Sequence, residues 1–236
     1  MNGNIRIRLA MYFVGLFIMT AGIAISVKSN LGVSPVSSIP YTLTCVWGIE
    51  MGKATILFHC ALVLLQICLL RRKFELKNLL QIPVGVVFGY FTTFCNYLMT
   101  FVPAPNNIVI SLLMLLVSVV LIAFGIFLYM PPDIMPLAGE GAMKAISDTF
   151  NIEFAKVKVA FDVSMVAISL ATCLIALHKL GSVGVGTIVA AVLVGTVLGQ
   201  FTKRLSERRD RILKKEETDG IITGNEEQEE CQEVYR

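Results

Sequence analysis

Two ionisable side chains stand inside otherwise apolar stretches of this chain, His59 and Asp162, separated by 103 residues. An imidazole titrates near neutral pH and a carboxylate can take up what it releases, so the pair has the chemistry of a proton-coupling couple or of two groups flanking a solute path. Ionisable groups in a hydrocarbon setting are costly unless paired or hydrated, which makes each a functional candidate. The competing explanation is that each lies within about two turns of the end of its stretch and reaches headgroups or water.

The same separation relates other charged groups. Trp47-Gly48-Ile49-Glu50-Met51-Gly52-Lys53 reappears as Phe150-Asn151-Ile152-Glu153-Phe154-Ala155-Lys156, and Gly22-Ile23 maps onto Gly125-Ile126 and Phe58 onto Phe161. Apolar matches between two hydrophobic stretches come cheaply, but a Glu and a Lys in register do not. A duplicated membrane unit is a signature of many transporter and channel folds. Within each copy, Glu50 with Lys53 and Glu153 with Lys156 are three residues apart and share a helix face. They read as surface salt bridges orienting the chain, with gating as the alternative.

The elements that must position these groups follow from composition. Hydrophobic residues make up 56% of the chain and charged residues 16%, with mean hydropathy +0.75. Those values point to a polytopic membrane protein. Residues 9–27, 79–102, 108–130 and 183–201 form uncharged apolar blocks, and 54–70 and 157–177 qualify with one or two ionisable groups. Each approaches the roughly 20 residues needed to cross a bilayer core. The first block follows Arg6 and Arg8, as a signal peptide would, but its repeat partner at 108–130 is internal, so it reads as a retained first helix.

Lysine and arginine concentrate at Arg6/Arg8, at Arg71-Arg72-Lys73 with Lys77, and between Lys203 and Lys215. With six spans all three clusters share one side, and the positive-inside rule places both termini in the cytoplasm. An eight-span alternative would expel Arg71-Arg72-Lys73 and would require crossings by segments that are too short. Six spans give three per repeat, and an odd number reverses direction. The expected fold is therefore all-α, with six transmembrane helices as two inverted three-helix repeats, each holding a short re-entrant or interfacial helix. Residues 1–105 form the first repeat, 106–203 the second, and 204–236 a cytoplasmic tail, basic and then acidic, expected to be disordered.

The short segments are residues 34–47 and 139–150. Ser34 sits at a helix N-cap position with Pro35 at the first helical position, and Ser37 follows one turn later. The second segment carries Glu140, Lys144 and Asp148 after three prolines at 131, 132 and 136. Two half-helices whose N-termini approach a central site could hold an anionic group at their positive ends. The alternative is a pair of amphipathic helices lying flat at the two surfaces. Asn96, in the third span, serves either interhelical hydrogen bonding or ligand contact.

Gly85-x-x-x-Gly89 and Gly195-x-x-x-Gly199 are repeat-related with a shift of 110, and their small residues would let the third and sixth spans pack closely in a central seam. The six cysteines show no metal-ligand spacing, and five lie in or beside apolar segments as inert thiols. Two histidines cannot supply a multi-His metal site, and nucleophile-elbow, Walker and dinucleotide fingerprints are missing. The expectation is a non-enzyme without cofactor, metal or nucleic-acid partner. It would act on a small polar solute in the lipid bilayer, and a homodimer is compatible. A scaffold or regulator working through the tail is the alternative function.

The block Ala21-Gly22-Ile23-Ala24-Ile25-Ser26-Val27-Lys28-Ser29-Asn30-Leu31-Gly32-Val33-Ser34-Pro35 resembles the opening of the YczE-like bacterial membrane proteins, grouped with YyaS and YitT. There a first helix runs through Gly-x-Ala into a Leu-Gly-x-x-Pro turn. Gly184-Val185-Gly186-Thr187 is similar to that family's Gly-x-Gly-Thr, and the hydrophobic plan of residues 8–203 is similar as well. Val36 stands where family members often have an aromatic residue. The resemblance implies a multi-pass bacterial membrane protein and brings no catalytic residues.

Overall fold

The computed structural model describes residues 2–132, 134–178, 181 and 183–207. The expectations for the tail beyond residue 207 lie outside these. Among the described residues every regular element is helical. The order is α1 (Asn2–Ser29), α2 (Pro35–Trp47), α3 (Met51–Leu70), two 3₁₀ turns through residues 71–80, α4 (Gln81–Thr100), α5 (Ile108–Tyr129), α6 (Ala138–Phe150), α7 (Phe154–Leu177) and α8 (Val185–Glu207). Six of these helices are long and apolar enough to cross a membrane; α2 and α6 are the two short ones. Outward-facing Leu64, Val117, Val163 and Val192 give the long helices an apolar exterior, as a bilayer solvent requires.

The repeat spacing carries into the element boundaries. α2 and α6 begin 103 residues apart and end 103 residues apart, as do the starts of α3 and α7. Both short helices close on a left-handed residue, Gly48 (φ 67°) and Asn151 (φ 53°), whose N–H groups bond the carbonyls of Thr44 and Ser147. Gly and Asn are the residues that tolerate this cap conformation. The chain then re-enters a helix after two residues, at Met51 and Phe154.

Helices α1 and α5 form the centre of the bundle. A Cβ on Gly15 would lie 2.9 Å from the carbonyl oxygen of Gly125, and one on Gly22 2.9 Å from that of Ser118. One on Gly125 would lie 2.7 Å from the carbonyl oxygen of Gly15. Backbone cannot yield as a flexible side chain can, so glycine lets the two helices touch. The central seam was expected from Gly85, Gly89, Gly195 and Gly199, and here the structure differs. Gly85 and Gly89 pack α4 onto α3, against His59, Ile56 and the Gly52 carbonyl, while Gly195 and Gly199 have nothing within 4 Å of a Cβ position. A small-xxx-small pattern permits close approach without choosing the partner.

The two short helices cross over. α2 packs against α7 and α6 against α3, each on the second long helix of the other half. Ser38 of α2 accepts from Ser169 of α7 at 2.9 Å and donates to the Met165 carbonyl at 3.3 Å. At the corresponding positions Gly141 of α6 faces Gln66 of α3, the smaller residue on one side answered by the larger on the other. Gln66 donates to Gln81 at 2.8 Å and to the Ala138 carbonyl at 3.2 Å, and both glutamines are fully buried. Such a network holds its place because leaving a buried amide unpaired costs about 1–3 kcal/mol. The thiols vary more than expected: Cys95 and Cys173 are buried, whereas Cys68 is exposed on the outer surface of α3.

Candidate functional site

The N-terminal ends of α2 and α6 meet at a cavity of about 220 Å³ in the middle of the bundle. Its lining comes largely in pairs separated by 103 residues: Met19 with Ile122, Ile23 with Ile126, Ser37 with Glu140, Thr55 with Lys158, and His59 with Asp162. Helix α8 closes one wall with Ala190, Ala191, Val194 and Gly195. The site therefore collects side chains from both ends of the sequence.

His59 and Asp162 both line this cavity. His59 is 4% exposed, lies flat against Phe88 (ring centroids 5.5 Å, 19° between planes) and is backed by Gly85, which leaves room for no side chain. Its Nδ1 has no hydrogen-bond partner among the described residues. Asp162 takes Lys158 Nζ on Oδ2 at 3.2 Å, one helical turn away, while its buried Oδ1 has no partner among the described residues. His59 Nδ1 lies against α4, 2.9 Å from the Cβ position of Gly85, and Asp162 is held through Oδ2 alone.

Glu140 occupies the N-terminus of its own helix. One carboxylate oxygen accepts from the Leu137 N–H at 3.2 Å and the other from the Tyr129 hydroxyl. A carboxylate there is stabilised by the helix dipole and satisfies an amide that would otherwise be orphaned. The same carboxylate fills the place where an anionic ligand was expected. At α2, Ser34 holds the N-cap position, but its hydroxyl donates to Ser37 Oγ at 3.0 Å instead of capping the backbone.

Other expected site residues lie elsewhere. Asn96 donates to the Thr92 carbonyl of its own helix at 2.9 Å and borders a separate surface cleft of about 570 Å³, together with Lys28, Ser29, Asn107 and Ser111. Glu50 accepts from the Gly52 N–H at 3.1 Å and from Thr93 at 2.6 Å, tying α3 to α4, and Lys53 is exposed. Glu153 and Lys156 pair at 3.4 Å on the surface, where an ion pair contributes about 0–1 kcal/mol. Among the described residues no three His, Cys, Asp or Glu side chains assemble as a metal-ligand set.

Sequence reasoning passed over four contributors. Lys158 stands four residues before Asp162, a helix-pair spacing that was there to be read. Tyr129 and Tyr12 are aromatic residues inside long apolar runs, and nothing local marked their hydroxyls as bonded to Glu140 and to the Met135 carbonyl (2.7 Å). Arg8 registered only as an orientation signal, yet it donates to the Pro132 carbonyl at 2.5 Å. At the other end of α1 the Leu31 carbonyl accepts from the Gly186 N–H at 2.8 Å. There the Leu-Gly turn and the Gly-x-Gly-Thr segment, distant in sequence, come into contact.

Fold and site together define a helical membrane protein with six membrane-length helices around a partly polar cavity. The chain belongs to the family described as DUF6198, a family of unknown function, which matches residues 6–203. It is similar to the uncharacterized membrane protein YczE of Bacillus subtilis (strain 168), with 24% identity over 201 residues, 84% of this chain and 86% of that protein. It is also similar to an uncharacterized protein of Haemophilus influenzae, with 25% identity over 186 residues, 79% of each. No solved structure matches.

Proposed function

We propose that this protein is a secondary transporter built from two inverted repeats, which carries a small polar solute through the central cavity by alternating access. The observation that carries this reading is the cavity lining itself, drawn in equivalent pairs from both halves, with His59 and Asp162 as one of the pairs. The α1–α5 contact supports the same symmetry: Gly22 meets Ser118 and Ile122, and the equivalent Gly125 meets Gly15 and Met19. Substrate sites at the interface of inverted repeats, bounded by helix ends, are a recurrent transporter design.

The two ends of the bundle differ in a way that suits one-sided opening. Arg8 and Tyr12 tie α1 to the α5–α6 connection. The repeat-equivalent positions at the opposite end, Ser29 and Ser111, instead border the 570 Å³ cleft. The basic clusters assign the tied end to the cytoplasm and the open cleft to the outside. Thr92 lines the cavity and Asn96 the cleft, so one turn of α4 separates them.

The test is accessibility. In a background with the native cysteines replaced, Ala191→Cys, on the cavity wall, should react with membrane-impermeant thiol reagents from each side of the membrane, in proportions that shift between conditions. A cysteine that is inaccessible from both sides under all conditions would sink the transport reading.

A further inference from the structure

We infer that the central cavity binds a small organic monocation bearing N–H donors, an alkylammonium or guanidinium compound with a short apolar body. This rests on the transport reading and names its solute class.

The ionisable side chains lining the cavity are Glu140, Lys158, Asp162 and His59. With the imidazole neutral and both carboxylates ionised, the set carries an excess of one negative charge over the single ammonium. A site with such an excess is completed by a cation and made worse by an anion. Lys158, the one cationic side chain among the described lining residues, already spends a hydrogen on Asp162, and the dipole end of α6 is filled by Glu140.

Hydrogen-bond polarity points the same way. Thr55 donates to the Met51 carbonyl and Thr92 to the Phe88 carbonyl, both at 2.8 Å, so each hydroxyl has only lone pairs left to offer the cavity. Asp162 Oδ1, a pure acceptor, has no partner among the described residues. The unspent capacity of the site is mostly for accepting, and a ligand must supply the donors. A cation without N–H groups would meet the charge and leave these acceptors unpaired. The remaining lining, with Met19, Ile23, Ile122 and Ile126, is apolar, and the volume of about 220 Å³ falls below the roughly 300–1,000 Å³ of drug-sized sites.

The test is calorimetric titration of the purified full-length protein with butylammonium, guanidinium, tetramethylammonium, γ-aminobutyrate and butyrate at fixed ionic strength. Butylammonium and guanidinium should bind, butylammonium at least tenfold tighter than tetramethylammonium or butyrate. Asp162→Asn should weaken butylammonium at least tenfold and Thr92→Val several-fold, while Glu75→Gln, remote from the cavity, should change nothing. Preference for butyrate or γ-aminobutyrate, a silent panel, or unchanged affinity in folded Asp162→Asn and Thr92→Val proteins would overturn the assignment. Ala191→Cys accessibility decides the parent reading independently. Two-sided labelling without amine binding removes only the solute class, and no labelling from either side removes both.

Discussion

Gly22 and Gly125 stand 103 residues apart, and each abuts the helix that carries the other. Gly22 faces backbone of α5 at Ser118 and Ile122, and Gly125 faces backbone of α1 at Gly15 and Met19. Side chains at either position would have to push whole helices apart. Gly22→Leu and Gly125→Leu should each lose at least about 1–3 kcal/mol, read as a lowered thermal midpoint in detergent. Gly195→Leu, with open space around it, should keep its midpoint and, on the transport proposal, lose solute flux, because Gly195 lines the cavity. Equal midpoints for all three proteins would contradict the packing described here.

The buried glutamine pair gives a second expectation. Gln66→Leu strands the amide of Gln81 and frees the Ala138 carbonyl, and should cost about 1–3 kcal/mol. Adding Gln81→Leu should restore part of that loss, since replacing both partners with apolar groups removes the unpaired group. A double-mutant cycle of unfolding midpoints measures this, and strict additivity of the two losses would be the contrary result.

Tyr129→Phe removes the hydroxyl that donates to Glu140. A hydrogen bond to a charged group contributes about 1.5–3 kcal/mol, so the variant should be less stable by that order. Tyr12→Phe, which breaks a bond to the Met135 carbonyl, should cost less, about 0.5–1.5 kcal/mol. The reverse order, measured by thermal unfolding, would show that Glu140 is held by something other than Tyr129.

Arg8 fastens α1 to the α5–α6 connection through the Pro132 carbonyl. Arg8→Ala should raise labelling of Ala191→Cys from the cytoplasmic side several-fold and leave labelling from the outside unchanged or lower. Ser111→Ala, at the equivalent but untied position, should shift neither. Unchanged labelling in Arg8→Ala would remove Arg8 as a closing contact.

Much of the architecture was legible because membrane helices announce themselves by length and hydropathy, and because Glu50/Lys53 and Glu153/Lys156 exposed the spacing that also governs the helix boundaries. The spacing brought His59 and Asp162 forward as a pair, and both line the cavity. Partner choice was not legible. Gly85-x-x-x-Gly89 and Gly195-x-x-x-Gly199 have the same pattern, yet one packs on α3 and the other faces open space; small residues license approach without specifying a neighbour. Asn96 bonds within its own helix because a backbone carbonyl four residues back is always in reach. Glu140 was a candidate for the site on a segment that read as either re-entrant or interfacial, and its bonds to Leu137 and Tyr129 depend on a turn whose three prolines gave no hint of where it would aim.

The crossing of the short helices has a consequence for biogenesis. α2 finds its buried partner surface on α7, and the Leu31 carbonyl meets the Gly186 N–H, both encoded more than a hundred residues downstream. As the chain leaves the ribosome, α2 must therefore wait beside the membrane without its final neighbour while three further long helices are threaded. Neither half can reach its mature packing alone. Quality-control proteases and insertion chaperones would meet the first half as an unfinished intermediate, and a chain stopped before α7 should be degraded instead of accumulating as a stable half-protein.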